Sequence, residues 1–398
     1  MKRLVVCCDG TWQRLYGANL TNVALMARAV SPYDADGNSQ IVFYSAGIGA
    51  TLDRPRLWEG VTGADLDEHL LEAYLFLTLN YEPGDQLYLF GFSRGAYTVR
   101  TLAGLLRKCG VLRRQHADRA RAALELYRNR KISADSDSAH AFRKAYAAAW
   151  PRIGERDARM HVTPEGGATW DLRIRFIGVW DTVGALGMPR LLPFIPRNKS
   201  YEFHDTALSR AVQYARHAVA IDERRASFAP TLWSNVEAVN PPGQKPRVLQ
   251  TWFPGDHGAV GGCRAQRTLS NCSLLWVIDG AEEAGLKVSR EPGSVISSCL
   301  TEIDPIEGPV VVKRGFSVTD VLGKVWRKGP DHYQDLHETA RLRWIGNRDY
   351  RPRPMQAFHR QLRDFLHDSA RQFAGHEPGA PPRTGRWAFT PAHRIAAE

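Results

Sequence analysis

The sequence predicts an α/β protein with a mostly parallel sheet, helices on both faces of that sheet, and helical insertions over the strand ends. Short apolar runs recur along the chain, and stretches with helical spacing separate them. The runs are continuously hydrophobic rather than alternating, which is typical of strands covered on both faces. An alternation of such strands with helices indicates a parallel sheet between helix layers.

Each predicted strand is followed by small or polar residues. The runs are Arg3–Cys8, Gln40–Tyr44, Gln86–Phe90, Leu172–Trp180 and Arg247–Phe253. Between the second and third runs, residues Asp65–Leu79 show helical spacing with acidic residues in the first turn. Open parallel sheets place their sites at the carboxyl ends of the strands, so we expect the chemistry in the loops after these runs.

Two stretches interrupt the alternation. Residues 111–170 are rich in arginine and alanine and predict helices in HADRARAALELYRNR and HAFRKAYAAAW. Residues 185–246 begin with the apolar, proline-punctuated Leu191–Pro196 and continue with a predicted helix at Leu208–Val219. We interpret both as insertions that cover the strand ends. The alternative is a solvated helix face and a loop packed on the core.

These observations predict a division of the chain into core segments and insertions. The segments are 1–110 (first part of the core with the nucleophile), 111–170 (basic helical insertion), 171–184 (core strand with the acid), 185–246 (helical cap insertion), 247–320 (core with the catalytic histidine) and 321–398 (basic C-terminal extension, weakly ordered from Gly375).

Length and composition exclude several classes of protein. The chain has 398 residues, 43% of them hydrophobic, which is enough for a large core. No apolar run approaches the roughly 18–20 residues of a membrane-spanning helix. The N-terminus, MKRLVVCCDGTW, does not have the pattern of a secretory signal. Six cysteines without Cys-x-x-Cys spacing argue against a zinc site and for reduced thiols, hence a cytoplasmic location in the producing cell.

The net charge of +11 is concentrated in two segments. Residues 101–150 hold 11 basic and 4 acidic residues, and residues 313–398 hold 16 and 9, whereas residues 1–100 hold 8 and 11. A basic surface predicts contact with an anionic membrane, a nucleic acid or an acidic partner. An arginine-rich genome is the alternative, since only ten of the 53 basic residues are lysine. No aromatic-interleaved basic motif or zinc finger occurs, so no nucleic-acid partner is expected.

The strongest motif is Gly91-Phe92-Ser93-Arg94-Gly95, which follows a predicted strand and precedes the helical Ala96–Leu106. A serine on a tight turn between strand and helix exposes its hydroxyl at the sheet edge, and Gly91 and Gly95 avoid clashes in that turn. The pattern predicts the nucleophile elbow of an α/β-hydrolase-like fold, with Ser93 as nucleophile. An ordinary glycine-rich turn is the alternative.

A serine nucleophile needs a general base and an acid that orients the base. In α/β-hydrolases these partners follow the serine in the order acid, then histidine, each after a later strand. Asp181 and His257 meet that order. The competing candidates are the histidines His204 and His217, which fall in the predicted cap, and Asp256, whose side chain is adjacent to the base in sequence and is therefore ranked below Asp181.

An oxyanion hole requires two backbone donors. The N–H of Arg94, directly after the nucleophile, is the predicted first donor, and the N–H of Gly10 or Thr11 is the predicted second. Asp9 in the same loop also fits a phosphotransferase aspartate. That chemistry normally needs a second carboxylate two residues on, where Thr11 stands. No metal or organic cofactor is expected.

Several long motifs occur together in one order: CCDGTW, YSAGIG, GFSRGAYTVRTLAGLLRKCG, FIGVWDTVGALG, HAVAIDERRASFAPTLW and WFPGDHGAVGG, between residue 3 and about 286, and then LHETARLRW…YRPRP at 336–354. This set resembles the DUF2235 family of α/β-hydrolases, which includes the Tle1-type phospholipase effectors of bacterial type VI secretion. The resemblance implies a Ser-Asp-His acyl hydrolase that cleaves carboxylic esters, most directly the acyl esters of phospholipids, through Ser93, Asp181 and His257. It also implies contact with an anionic membrane, export by a contact-dependent system, and an immunity or delivery partner.

The sequence departs from that family in two ways. The histidine motif is commonly H-S-D-V-G-G, whereas Gly258-Ala259 follow the histidine here. The chain also lacks the long additional membrane-associating region of the larger effectors. Two other functions therefore stay open at this point: a non-lipid esterase or thioesterase with the same triad, and a catalytically weakened interaction protein on a hydrolase fold.

Overall fold

A computed structural model of the chain describes residues 1–10, 13–47, 63–151, 170–184, 206–310 and 324–365. Its strands, in chain order, are β1 (Arg3–Cys8), β2 (Gln40–Ser45), β3 (Gln86–Phe92), β4 (Val111–Leu112), β5 (Ala147–Trp150), β6 (Trp170–Asp171), β7 (Ile174–Trp180), β8 (Val212–Ala220) and β9 (Val248–Phe253). Its α-helices are α1 (Asn22–Ala29), α2 (Gly63–Asn80), α3 (Arg94–Cys109), α4 (Ala120–Arg128), α5 (Asp137–Tyr146), α6 (Val236–Val239), α7 (His257–Gly261), α8 (Thr268–Glu283), α9 (Val295–Thr301) and α10 (Glu338–Gly346).

Six strands form one sheet in the order β2-β1-β3-β7-β8-β9, and every neighbouring pair is parallel. The predicted parallel α/β fold is therefore confirmed. The chain runs outward from β1 to β2 and then returns to place β3 on the other side of β1. This reversal leaves a crevice at the carboxyl ends of β1 and β3, which is where open parallel sheets bind their ligands.

Helices cover both faces of the sheet because alternate strand residues point to opposite sides. On one face, Leu4, Val6 and Leu89 pack with apolar residues of α2 and α3 in the largest apolar cluster. On the other face, the Tyr88 hydroxyl donates to the Ala284 carbonyl over 2.8 Å, directly after α8. A Cβ at Gly178 of β7 would lie 2.5 Å from a side-chain carbon of Val277 in α8, so this helix packs directly on the strand.

The segment Leu208–Val219 is not a helix, contrary to the prediction. Its residues from Val212 onward form β8, which pairs with β7 on one side and β9 on the other. The three alanines of VQYARHAVA favour a helix in isolation. Between two strands, however, small residues fit a position buried on both faces, and pairing on both sides outweighs the local preference. His257 consequently follows the second strand after Asp181 rather than the next one.

The predicted helix HAFRKAYAAAW is correct only in its first half. Helix α5 ends at Tyr146, and the following alanines form β5, which joins β4 and β6 in a separate three-stranded sheet. The 111–170 insertion is therefore mixed rather than helical in the part that the structure describes.

The boundaries of the predicted segments stay a prediction. The chain divides into two compact units, Met1–Gln356 and Ala357–Glu398, and the first contains the whole parallel sheet. Leu191–Pro196 and the tail from Gly375 lie outside the described residues. Among the described helices, none is both long and apolar enough to cross a membrane.

Candidate active site

Ser93 occupies a strained turn between β3 and α3. Its backbone has φ 56° and ψ −119°, in the positive-φ region that residues other than glycine rarely adopt. Its N–H donates to the Trp180 carbonyl over 3.0 Å, which holds the turn against the end of β7. Such strain persists only where the surrounding structure enforces it, and it occurs most often at functional sites.

The two glycines of the motif allow α3 to pack onto the sheet at this turn. A Cβ at Gly91 would lie 2.5 Å from the Gly95 carbonyl oxygen, and a Cβ at Gly95 would overlap the carbonyl of Cys8 in β1. Both obstacles are backbone atoms, which cannot move aside as a flexible side chain can. The spacing Gly-x-Ser-x-Gly is thus a steric requirement of the turn.

A continuous chain of hydrogen bonds joins the three predicted triad residues. His257 Nε2 lies 2.9 Å from Ser93 Oγ, and His257 Nδ1 lies 2.6 Å from Asp181 Oδ2. All three side chains are buried. These distances are those of a nucleophile bonded to its base and of a base bonded to its orienting acid.

The imidazole of His257 is fixed from several sides. The ring of Phe92 lies against it with 4.6 Å between centroids, and the ring of Phe228 meets it edge-on at 4.8 Å. The backbone N–H of His257 donates to Glu223 Oε2 over 3.3 Å. Arg225 holds that carboxylate with bonds of 2.9 and 2.7 Å. The base therefore has little rotational freedom.

The Asp181 carboxylate accepts four hydrogen bonds, one of them from the imidazole of His257. Oδ1 accepts from the Ala220 N–H at 2.9 Å and from Arg327 Nη1 at 2.6 Å, and Oδ2 accepts from His257 Nδ1 and from Arg327 Nη2 at 2.9 Å. Burial alone would raise the pKa of Asp181. The charge of Arg327 and the bonds from His257 and Arg327 outweigh burial and hold this pKa well below its usual value.

Arg327 was missed by sequence reasoning. It lies in the predicted basic C-terminal extension, and no spacing or motif distinguishes it there from the other basic residues of 313–398. Only the fold brings its side chain, which is 5% exposed, to the acid of the predicted triad.

The competing residues have other partners. His217 is fully buried, its Nε2 accepts the Thr182 N–H at 3.2 Å, and its Nδ1 lies 3.0 Å from Gln250 Oε1. Burial lowers the pKa of His217 to about 3, so this ring is neutral and supports the loop after Asp181. Asp256 pairs with Arg264 and caps α7 by accepting the Ala259 N–H. His204 lies outside the described residues.

The predicted oxyanion donors differ in whether their N–H groups already have a hydrogen-bond partner. The N–H of Gly10 donates to Asp9 Oδ1 over 2.7 Å, so that amide is already engaged. Thr11, the alternative, lies outside the described residues. The N–H of Arg94 begins α3, where the first amides of a helix have no partner within the helix, so it stays available as the first donor.

The Asp9 carboxylate has a structural set of partners. It also accepts from the hydroxyls of Thr21 and Tyr44, at 2.7 and 2.6 Å. Burial raises the pKa of Asp9 to about 6, although these bonds oppose the shift. Three donors around one carboxylate fix the loop after β1 at the mouth of the crevice.

The residues that depart from the family motif do not disturb the triad geometry. Gly258 lies in the first turn of α7, where a Cβ would approach Arg264 Nε to 2.9 Å. Arg264 is in turn paired with Asp256. The serine–histidine and histidine–aspartate distances given above are those found with Gly258-Ala259 in place.

Asp222 supports the glycine-rich loop that carries His257, and its titration gives a testable pH dependence. Its Oδ2 accepts from the Gly255 N–H at 2.6 Å and from the Tyr350 hydroxyl at 2.9 Å. Burial raises the pKa of Asp222 to about 6. The folded state therefore binds more protons than the unfolded state between pH ~4 and ~6, so the free energy of unfolding falls as pH rises through that window, by ~1.4 kcal/mol per unit.

Asp222→Asn keeps an acceptor oxygen for both donors and removes the titration. We expect the variant to gain free energy of unfolding relative to the wild type between pH 4 and pH 7, by ~3 kcal/mol in total. Denaturant unfolding at a series of pH values measures this difference. The contributions of groups that titrate in both proteins cancel when the two free energies of unfolding are subtracted. Two parallel stability curves would contradict the assignment.

The fold and this turn define the chain as an α/β-hydrolase-like protein: a parallel sheet with a strained serine at its switch point and a buried histidine and aspartate beside it. A family model described as "T6SS, Phospholipase effector Tle1-like, catalytic domain" matches residues 2–280. The chain belongs to this family, and the resemblance predicted from the motifs is confirmed.

The similar proteins share little sequence identity with this chain, and each of them is longer than it. An uncharacterized protein of Saccharomyces cerevisiae, YEL023C, is 28% identical over 243 residues, which are 57% of this chain and 32% of that protein. An uncharacterized protein from Pseudomonas aeruginosa of known structure is 17% identical, with a TM-score of 0.40 over 72% of this chain and 47% of the other. The Tle1 effector bound to the VgrG spike of the type 6 secretion system is 18% identical, with a TM-score of 0.32 over 67% and 52%. The chain thus spans about a third of the curated relative and about half of each solved structure.

Proposed function

We propose that the protein is a serine hydrolase that cleaves carboxylic esters through Ser93, His257 and Asp181, and that its substrates are the acyl esters of phospholipids. The hydrogen-bond chain from Ser93 Oγ through His257 to Asp181 carries the proposal. The alternative, an ordinary glycine-rich turn, needs neither a serine at positive φ nor a buried histidine bonded to that serine. Both features are present here, and they support the proposal.

In the proposed reaction, Ser93 Oγ attacks the ester carbonyl while His257 Nε2 accepts the hydroxyl proton. Asp181 holds the imidazole so that Nε2 faces the serine, and it stabilises the imidazolium that forms. The Arg94 N–H donates to the oxyanion, a contribution typically worth ~3–4 kcal/mol of transition-state stabilisation. The imidazolium then protonates the leaving alcohol, and a water molecule releases the acid from the acyl-enzyme by the same steps.

Two features favour a phospholipid over a neutral ester. The family description names a phospholipase effector. In addition, the Arg94 side chain stands directly after the nucleophile, and burial lowers its pKa to about 10 with no ion pair among the described residues. A guanidinium that is partly desolvated and has no carboxylate beside it is suited to an anionic group of the substrate, such as a phosphate.

The basic segment 101–150 supports contact with an anionic membrane. Arg114, Arg119 and Arg121 on this segment are exposed. Each basic residue near an anionic surface contributes ~1 kcal/mol to attraction, and salt screens that attraction. Because the family description names the type VI secretion system, export and a delivery partner belong to the same proposal.

Fatty-acid release from vesicles of phosphatidylglycerol and phosphatidylethanolamine, measured beside hydrolysis of a soluble p-nitrophenyl ester, tests the proposal. We expect both activities in the wild type and neither in Ser93→Ala. Rising salt should lower the rate of fatty-acid release from vesicles but not the rate of hydrolysis of the soluble ester. Hydrolysis of the soluble ester alone would restrict the function to a non-lipid esterase. The absence of both activities in folded protein would favour an interaction protein and overturn the proposal.

A further inference from the structure

Arg327 reaches Asp181 from a segment that lies 146 residues further along the chain. This segment is tied to the loop after β8, since the Val325 N–H donates to the Arg224 carbonyl over 2.7 Å. The guanidinium makes four hydrogen bonds: two to the Asp181 carboxylate, one to the Ala220 carbonyl at 2.7 Å and one to the Phe228 carbonyl at 2.6 Å.

The two kinds of contact have different consequences. The carbonyls of Ala220, at the end of β8, and of Phe228, in the segment after it, fix the position of the guanidinium. The two parallel bonds to Asp181 then fix the plane of the carboxylate, because a planar fork matches both carboxylate oxygens only in one orientation. Asp181 Oδ2, which accepts from Arg327 Nη2, is also the oxygen that faces His257 Nδ1.

We propose that Arg327 is a positioning residue for the reaction: it aims Asp181 Oδ2 at His257 and keeps the carboxylate ionised in a buried site. This inference rests on the proposed hydrolase function. It assigns a role to a residue outside 2–280, the range that the family model matches.

The charge of Arg327 also changes the electrostatic environment of the His257 imidazole. A buried aspartate without a cation presents a full negative charge to the imidazole and strongly favours the imidazolium. Here the buried guanidinium offsets most of that charge. Arg327 and His257 Nδ1 therefore share one carboxylate, and a change at Arg327 reaches the imidazole through Asp181.

A purely structural role is the alternative, since a buried ion pair that loses one partner destabilises a protein whatever its function. The two roles differ in what they predict for folded variants. A structural contact alters stability only, whereas a positioning contact also alters kcat and its pH dependence while leaving KM unchanged.

Arg327→Met is the direct test, because methionine fills much of the space without charge or donors. We expect kcat on a soluble ester to fall about a hundredfold with KM unchanged, less than the ~10⁴-fold loss seen when a triad acid itself is replaced. The acidic limb of the plot of kcat/KM against pH should move to higher pH, since a positive charge near the imidazole has been removed.

Arg143→Met is the matched control. Arg143 is also buried and donates to the carbonyls of Lys108 and Ala134 at 2.8 and 2.7 Å, near the end of α3 that lies away from Ser93. Its replacement should lower stability but keep kcat within twofold and leave the pH profile in place. Equal effects of the two variants on kcat would overturn the proposal.

Two further measurements keep the proposal falsifiable if Arg327→Met does not fold or the protein cleaves no ester. Arg327→Lys keeps the charge but not the fork, so we expect about a tenfold lower kcat at unchanged KM; a wild-type kcat would overturn the role. The proton NMR signal of His257 Nδ1–H, identified by its loss in His257→Gln, should move in either Arg327 variant, because the guanidinium no longer holds the carboxylate that accepts this proton. An unchanged signal would overturn the proposal even in a protein without hydrolase activity, whereas failure of the function itself appears as no turnover in the wild type.

Discussion

Ser93→Ala is expected to abolish covalent labelling by a fluorophosphonate probe and to lower ester turnover by on the order of 10⁴–10⁶-fold. The probe reacts with a serine only when a base has activated it, and Ser93 Oγ is the hydroxyl that His257 Nε2 contacts. Alanine removes one atom at a backbone position that is equally strained for either residue. The variant should therefore fold as the wild type does, so lost labelling reports on chemistry.

Ser270→Ala provides the matched control for this experiment. Ser270 is also a buried serine at the start of a helix, α8, but its hydroxyl makes no hydrogen bond among the described residues. We expect its variant to be labelled at the wild-type rate. Persistent labelling of Ser93→Ala would assign the nucleophile to another residue, and an unlabelled but folded wild type would refute the serine-hydrolase proposal.

His257→Gln is expected to lower kcat/KM by on the order of 10⁴–10⁶-fold, nearly as much as loss of the nucleophile, because residues of a triad act as a unit. Glutamine occupies similar space between Phe92 and Phe228 but does not accept and return a proton near neutral pH. Steady-state kinetics on a soluble ester measures the effect, and fluorophosphonate labelling should slow in parallel.

His337→Gln is the comparison for this variant. His337 is half-buried and stacks on Phe253 with 4.1 Å between centroids, and desolvation lowers its pKa to about 3. Its replacement should affect stability rather than kcat. If His257→Gln lowers kcat/KM less than about a hundredfold, below the usual contribution of general acid–base catalysis, His257 is not the base.

The parts of the site that could be predicted from sequence are those with local physical signals. Ser93 was placed by the two glycines that its turn requires, and the structure shows why: both glycines face backbone atoms. Asp181 and His257 were placed because each follows an apolar run, and parallel strands bring such ends to one edge of the sheet. Their mutual bonds agree with that expectation.

The parts that escaped prediction depend on contacts between distant segments. Strand β8 looks helical by itself and becomes a strand because β7 and β9 flank it. The Gly10 N–H donates to the Asp9 carboxylate, which Thr21 and Tyr44 hold from other parts of the chain. The sequence around Arg327 gives no indication of its role, since nothing in a basic segment shows which arginine is buried or which carboxylate it binds.

The position of Arg327 bears on how this protein should be shortened for study. A fragment ending at residue 280, as the family match suggests, would retain Ser93, Asp181 and His257 but remove the guanidinium that binds Asp181. Such a fragment would contain every residue of the proposed triad, but the buried Asp181 carboxylate would have lost the Arg327 guanidinium that neutralises it. The shortest fragment that keeps this charge pair is therefore longer than the range of the family match, and it extends at least through Arg327.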